Sequence, residues 1–217
     1  MVNDLKKDTE NVLTNGPAVR FRKTRRQIQK METKDKIYHA AVEKINEKGF
    51  NNVSIEDITT AANVSKGSFY THFESKEALV FYTFKQSDDI YKQVYEKVRG
   101  LDFLSMITRF MRISYTEYEK RGKGIIKAMI SNYFTWQGYN FYGKDRLLLK
   151  CLEMIVESGK EEHVLDTLIE TDKYVNILLS TMIGVEVMWC FDSQNLSLAD
   201  MIEDAVRVAA KGMMMQS

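Results

Sequence analysis

The chain has 217 residues, 44% of them hydrophobic and 28% charged, with a formal net charge of +1. That length supports one substantial core or two small ones, burying roughly 70% of the unfolded surface, and the composition excludes a disordered or fibrous chain. The near-neutral total also excludes any argument for nucleic-acid binding from bulk charge. Such an argument has to rest on distribution: residues 1–80 hold 14 Lys and Arg against 11 Asp and Glu, and residues 81–217 hold 17 against 19.

Residues 1–32 are polar and irregular in pattern and read as a flexible basic extension. Within it the stretch VRFRKTRRQIQK, residues 19–30, carries six cations and no acid. It suits an arm that follows phosphates or enters a minor groove, or a solvated tail. Thr33 is the expected cap of the first helix, whose Ile37, Ala40, Ala41 and Ile45 keep the helical period. Gly49 ends that helix, and Phe50 can fold back on it.

The most informative stretch is IEDITTAANVSKGSFYTHFESKEAL, residues 55–79. Ser54 followed by Asp57 is a capping box, and Val53 with Ile58 is a hydrophobic staple, so a short helix starts at Ile55. It stops at Asn63, a residue that tolerates the left-handed turn conformation. Ser65 caps a second short helix, with Val64 and Phe69 as its staple. A turn of about three residues between two such helices is helix-turn-helix spacing. Ala61 and Ala62 permit close approach of the two helices, with Phe69 and Phe73 as plugs between them. The second helix presents Lys66, Gly67, Ser68, Tyr70, Thr71 and His72. Gly67 costs about 1 kcal/mol against Ala in a helix, which points to close approach by another backbone. Ser75 caps a third helix beginning at Lys76, a cation at an end that already attracts anions.

Gly49, Phe50, Ser54, Ile58, Ala61, Ala62, Val64, Ser65, Gly67, Tyr70, His72, Phe73, Lys76, Glu77 and Leu79 together resemble the DNA-binding domain of TetR-type regulators. Asn63 and Ser54 stand where that family more often has Gly and Thr. The resemblance implies an all-α homodimer with an N-terminal helix-turn-helix domain over residues 33–80 and a larger helical domain over 81–217 that binds a small-molecule effector and dimerises. It implies double-stranded operator DNA as partner. Lys66, Ser68 and Thr71 are the expected base-edge contacts, and Gly67 the point of close approach. Ser54, Tyr70, His72 and Lys76 are the expected phosphate contacts, and Ser65 at the start of the reading helix completes the set.

Residues 76–98 read as one long helix, ended by Gly100, that joins the two domains as a lever. Further helices are expected at about 103–120 and 124–134. The stretch NYFTWQGYNFYG, residues 132–143, is dense in aromatic rings; it suits either a lid for an apolar or aromatic ligand or filling between helices. Tyr115, Tyr118, Phe134, Trp136 and Met182 are the candidate ligand contacts. A helix over about 145–158 follows, then a polar segment with His163. Residues 171–191 carry two apolar stripes, so that helix must be buried on two sides. Ser197 and Asp200 open the last helix. The resemblance places the dimer interface on these two helices, with Ile183, Val187, Met201, Ala205 and Val208 as its candidates.

No Gly-rich phosphate loop, nucleophile elbow or metal-spaced cluster is present, which speaks against an enzyme, a metal site or a cofactor. Cys151 and Cys190 sit in apolar runs and read as buried structural thiols, suited to a reducing cytoplasm. No run of about 18 uninterrupted apolar residues marks a membrane span, and the N-terminus lacks a signal-peptide pattern. The expectation is a cytoplasmic, ligand-responsive, DNA-binding regulator, with a helical carrier of lipids or small molecules as the alternative.

Overall fold

In the computed structural model, which describes residues 24–133, 135, 143, 145–191 and 196–215, the first helix, α1, spans Arg25–Lys48. It begins two turns ahead of the expected Thr33. Thr24 and Gln27 form a reciprocal capping box there. Thr33 lies inside the helix instead, its Oγ1 donating to the Gln29 carbonyl at 2.9 Å. From Arg25 onward, then, the expected flexible extension is helical, and its earlier part lies outside the described residues. Periodicity gave no warning, because the extra turns bury nothing: Ile28 and Met31 are each 46% exposed.

A 3₁₀ turn, Phe50–Asn52, leads to α2 (Ile55–Ala62), α3 (Lys66–His72) and the long α4 (Lys76–Val98). The remaining helices are α5 (Phe103–Glu119), α6 (Lys123–Asn132), α7 (Leu147–Glu161), α8 (Thr171–Phe191) and α9 (Leu198–Met213). Among the described residues the fold is all-helical, apart from one isolated bridge between Leu165 and Met214. The expected all-α fold with a small N-terminal head and a larger C-terminal bundle is the observed one.

The head closes over Ile37, Ala41, Ile45, Val53, Ile58, Phe69, Phe73 and Leu79, all buried. The second core is built where α9 packs on α5 and α8, and α7 on α4, α5 and α8. Its largest fully buried members include Phe103, Phe110, Ile107, Met111, Ile125 and Met129. One helix serves both cores. In α4, Leu79 and Val80 are buried near the head and Tyr91, Val94 and Val98 are buried in the bundle, so its 23 residues form a rod of roughly 35 Å. Arg146, 7% exposed, fixes this rod to the start of α7: its Nε donates to both Asp88 carboxylate oxygens at 2.9 and 3.0 Å, and a terminal nitrogen donates to the Phe84 carbonyl at 2.9 Å.

A second joint connects head and bundle. Asn46, on α1, donates from Nδ2 to the Arg121 carbonyl and accepts at Oδ1 from the Gly124 amide, both at 2.8 Å. Gly124 is what lets the chains come so close. A Cβ there would lie 2.7 Å from the Ile45 carbonyl oxygen and 2.8 Å from Asn46 Cα.

By length and composition α8 could cross a membrane. Its Glu186, however, is buried within the bundle, and the helix packs on α9, α7 and α6. Its apolar character follows from being covered on more than one side.

Candidate nucleic-acid interface

Local chemistry fixes the reading unit. Ser54 Oγ accepts from the Asp57 amide at 3.0 Å, while Asp57 accepts from the Ser54 amide at 2.8 Å and from its hydroxyl at 2.6 Å. These bonds, with Lys48 3.2 Å away, hold the Asp57 carboxyl far below the ordinary carboxylate range. Asn63 adopts the left-handed conformation at φ 52° and ψ 51° and ends α2 as expected. Ser65 then caps α3 by accepting from the Ser68 amide at 3.1 Å. Phe69 is fully buried and Phe73 nearly so, and they lock α3 onto the head. Ala61, expected to face α3, is exposed, whereas Ala62 is half-buried. The two-helix approach rests on Ala62 and the phenylalanines.

The opposite side of α3 faces solvent. Lys66, Gly67, Tyr70 and Thr71 are exposed and Ser68 is half-buried; Tyr70 alone leaves half its surface free. Thr71 Oγ1 donates to the Gly67 carbonyl at 2.9 Å. Lys66 lies 3.9 Å from Glu56 with both side chains exposed, a pair too weakly held to anchor it. Gly67 meets only Ser65 Oγ, at 3.9 Å, if given a Cβ. Among the described residues a side chain at this position would meet no close contact.

Two expected phosphate contacts, Ser54 and Lys76, make internal bonds instead. Ser54 is occupied by its capping box. The Lys76 ammonium is turned inward, donating to the Phe50 and Val53 carbonyls at 2.6 and 2.5 Å and lying 4.3 Å from the Phe50 ring centroid. Burial lowers its pKa. Its cation therefore fastens the 3₁₀ turn to α4, and what it leaves facing outward is the start of α4. His72 is half-buried, its Nδ1 enclosed and without a hydrogen-bond partner among the described residues. Burial first, and the charges of Lys30 and Lys34 next, hold its imidazole below the usual histidine pKa.

Three of the expected ligand contacts sit in the bundle. Tyr115, Tyr118 and Met182 are 2%, 3% and 1% exposed. They are core members: Tyr115 donates to Glu186 Oε1 at 2.6 Å and stacks edge-on with Tyr118 at 5.4 Å. Phe134 and Trp136 lie outside the described residues. A cleft of about 220 Å³ opens elsewhere, between Asn51 and Asn52 of the head and Gly124, Lys127 and Ser131 of α6. Cys151 is buried and its thiol pushed up to about 12. Cys190 is only half-buried, against expectation, with its thiol pushed up to about 11. Neither is poised to react.

Of the expected dimer contacts, Val208 is 72% exposed, while Ile183, Val187, Met201 and Ala205 are half-buried. The more open apolar residues of the same two helices are Ile177, Met188 and Phe191 of α8, at 46%, 63% and 77% exposure, and Met215 just beyond α9 at 50%.

The sequence model of the family described as bacterial regulatory proteins, tetR family, matches residues 37–83, the segment from α1 into α4. YwcC of Bacillus subtilis (strain 168), an uncharacterized HTH-type transcriptional regulator, is 24% identical over 180 residues, covering 76% of this chain and 79% of that one. The HTH-type transcriptional repressor DhaR of Mycobacterium sp. (strain GP1) is 62% identical over 32 residues, 15% of this chain and 16% of its own. Among solved structures, the Thermus thermophilus TetR-family repressor FadR, in complex with lauroyl-CoA, superposes with a TM-score of 0.62 at 20% identity, over 85% of this chain and 96% of that one. A capped helix-turn-helix matched by the family's sequence model, joined to a bundle of the same fold, carries one conclusion: the chain has the DNA-binding domain of the TetR-type family of bacterial transcriptional regulators, on a helical bundle of the fold seen in solved members of it.

Proposed function

We propose that the protein is a homodimeric repressor that binds a pseudo-palindromic operator through α3 and leaves it when a small apolar or aromatic molecule enters the C-terminal bundle. The observation that carries the DNA part is the outward face of α3, with Lys66, Tyr70 and Thr71 around a glycine at which a side chain would meet no close contact among the described residues. Base edges are read by Lys66, Ser68 and Thr71, and the backbone is met by Tyr70, His72 and the start of α4. Dimerisation is supported by the exposed apolar residues of α8 and α9. Two heads on a two-fold axis must reach major grooves about 34–36 Å apart, so a ligand that favours another spacing lowers affinity by that preference. Release by an apolar molecule is supported by the aromatic interior around Tyr115 and Tyr118, which the molecule would enter by displacing packed side chains. A cytoplasmic location follows from the same reading.

The test is selection of genomic fragments by the purified protein beside a Lys66→Ala/Tyr70→Ala variant. Enrichment of an inverted repeat by the unaltered protein alone is the expected result. If folded protein at low salt enriches nothing, the DNA reading fails and the carrier reading takes its place.

A further inference from the structure

Among the described residues the first two turns of α1 bury no side chain. Every residue from Thr24 to Glu32 is exposed, yet the helix is formally capped at Thr24. A short helix that buries nothing is marginal in water, and this one carries Arg25, Arg26 and Lys30. Arg26, Lys30 and Lys34 recur every fourth residue and so lie along one face, where like charges repel. Glu32 and Asp35 fall off that row by helical spacing.

The end of the row is fixed in space. Lys34 Nζ lies 3.7 Å from the Tyr82 ring centroid and 5.3 Å from that of Phe73, and Phe73 is the residue that terminates α3. His72, on the last turn of α3, is close enough to Lys30 and Lys34 to feel both charges. The row of cations thus begins beside the C-terminal end of the reading helix and runs outward from it. Eight residues of helix reach about 12 Å, and duplex DNA offers a phosphate charge every 1.7 Å or so of its axis.

We propose that the overhang of α1 is a second DNA-binding element, in which Arg25, Arg26 and Lys30 engage phosphates flanking the segment that α3 reads. The proposal rests on the DNA-binding reading above. The overhang lengthens the bound site and supplies sequence-independent affinity, while α3 supplies sequence preference. Charge complementarity and continuity with the α3 surface favour DNA over a protein partner.

The test compares the full-length protein with an Arg25→Gln/Arg26→Gln/Lys30→Gln variant, glutamine being chosen because it keeps helix propensity close to that of Arg and Lys. Both are titrated over a range of salt with the selected genomic duplex, once with its native flanks and once trimmed to the repeat. On the flanked duplex the slope of log K against log salt is expected to fall by about 0.9 for each phosphate that the variant no longer neutralises, and affinity by roughly 10-fold at low salt. On the trimmed duplex the two proteins bind alike. An Arg25→Lys/Arg26→Lys variant keeps the slope, since phosphates at this surface read charge. An unchanged slope on the flanked duplex, an equal loss on both duplexes, or a changed sedimentation coefficient, which would make the overhang a protein contact, each overturns the proposal. If the unaltered protein binds neither duplex, the DNA reading falls with it. If the unaltered protein binds and the triple variant matches it, only this proposal falls.

Discussion

At Lys76 the ammonium sits 2.6 Å from one backbone carbonyl and 2.5 Å from another, and those two bonds decide what the residue does. Position in sequence marked it as a phosphate contact, because a cation beside a helix N-terminus is well placed for an anion. Tertiary structure brings the Phe50–Asn52 turn and Val53 underneath it, and the Phe50 and Val53 carbonyls accept from the cation there. Replacing Lys76 with Met should therefore cost about 1–3 kcal/mol of stability, seen as a lower Tm, with the salt dependence of DNA binding nearly unchanged. A slope reduced by about 0.9 without loss of stability would return Lys76 to the phosphate set. Gly67 shows the opposite relation. Its cost was legible in the sequence, and among the described residues a Cβ there would meet only Ser65 Oγ, at 3.9 Å, which leaves room for the close approach proposed above.

Among the elements, α4 and the α5–α6 turn divide the task of holding the head. The continuity of α4 was legible from its unbroken apolar period and the Gly100 stop. The Asn46 joint was not, because an Asn on an otherwise polar helix face looks solvated until Arg121 and Gly124 are brought beside it. At Gly124 a side chain would press on backbone atoms of α1, which cannot rotate away. Gly124→Ala should consequently tilt the head from α6, at about 1–3 kcal/mol, and weaken binding to the inverted repeat more than binding to random-sequence duplex, which does not require two heads in register. Equal affinity of this variant and the unaltered protein for the repeat would show that the joint does not set head position. The start of α9 likewise depends on a distant partner. Ser197 Oγ accepts from the Asp200 amide as expected, and a second, distant carboxylate, Glu119 of α5, accepts from Ser197 Oγ and the Ala199 amide at 3.1 and 3.2 Å.

For the whole molecule, the exposed apolar side of α8 and α9 is the surface with the clearest need of a cover. Met188 and Val208, 63% and 72% exposed, stand one on each helix, and a charge at either would be buried unpaired in an interface. A Met188→Glu/Val208→Glu variant should sediment as a monomer, keep its helical signal and lose affinity for the inverted repeat by 100-fold or more, on the order of 3 kcal/mol. A persistent dimer would move the interface elsewhere.

From the sequence alone came the all-helical fold, the helix-turn-helix with its caps and left-handed Asn63, the joining helix and the two apolar stripes of α8. These are local properties: a cap acts over three residues, a turn over four, and a periodic face within one helix. Only the tertiary structure decided where Lys76 points, that α1 starts at Arg25, that Tyr115 meets Glu186, and which side of α8 stays open. Those outcomes depend on residues distant in the chain, such as the 71 positions between Tyr115 and Glu186, or, at the overhang, on a cap that needs no buried face to be formed. Polar residues carry little periodic signal, so their partners emerge only when packing brings separate helices together.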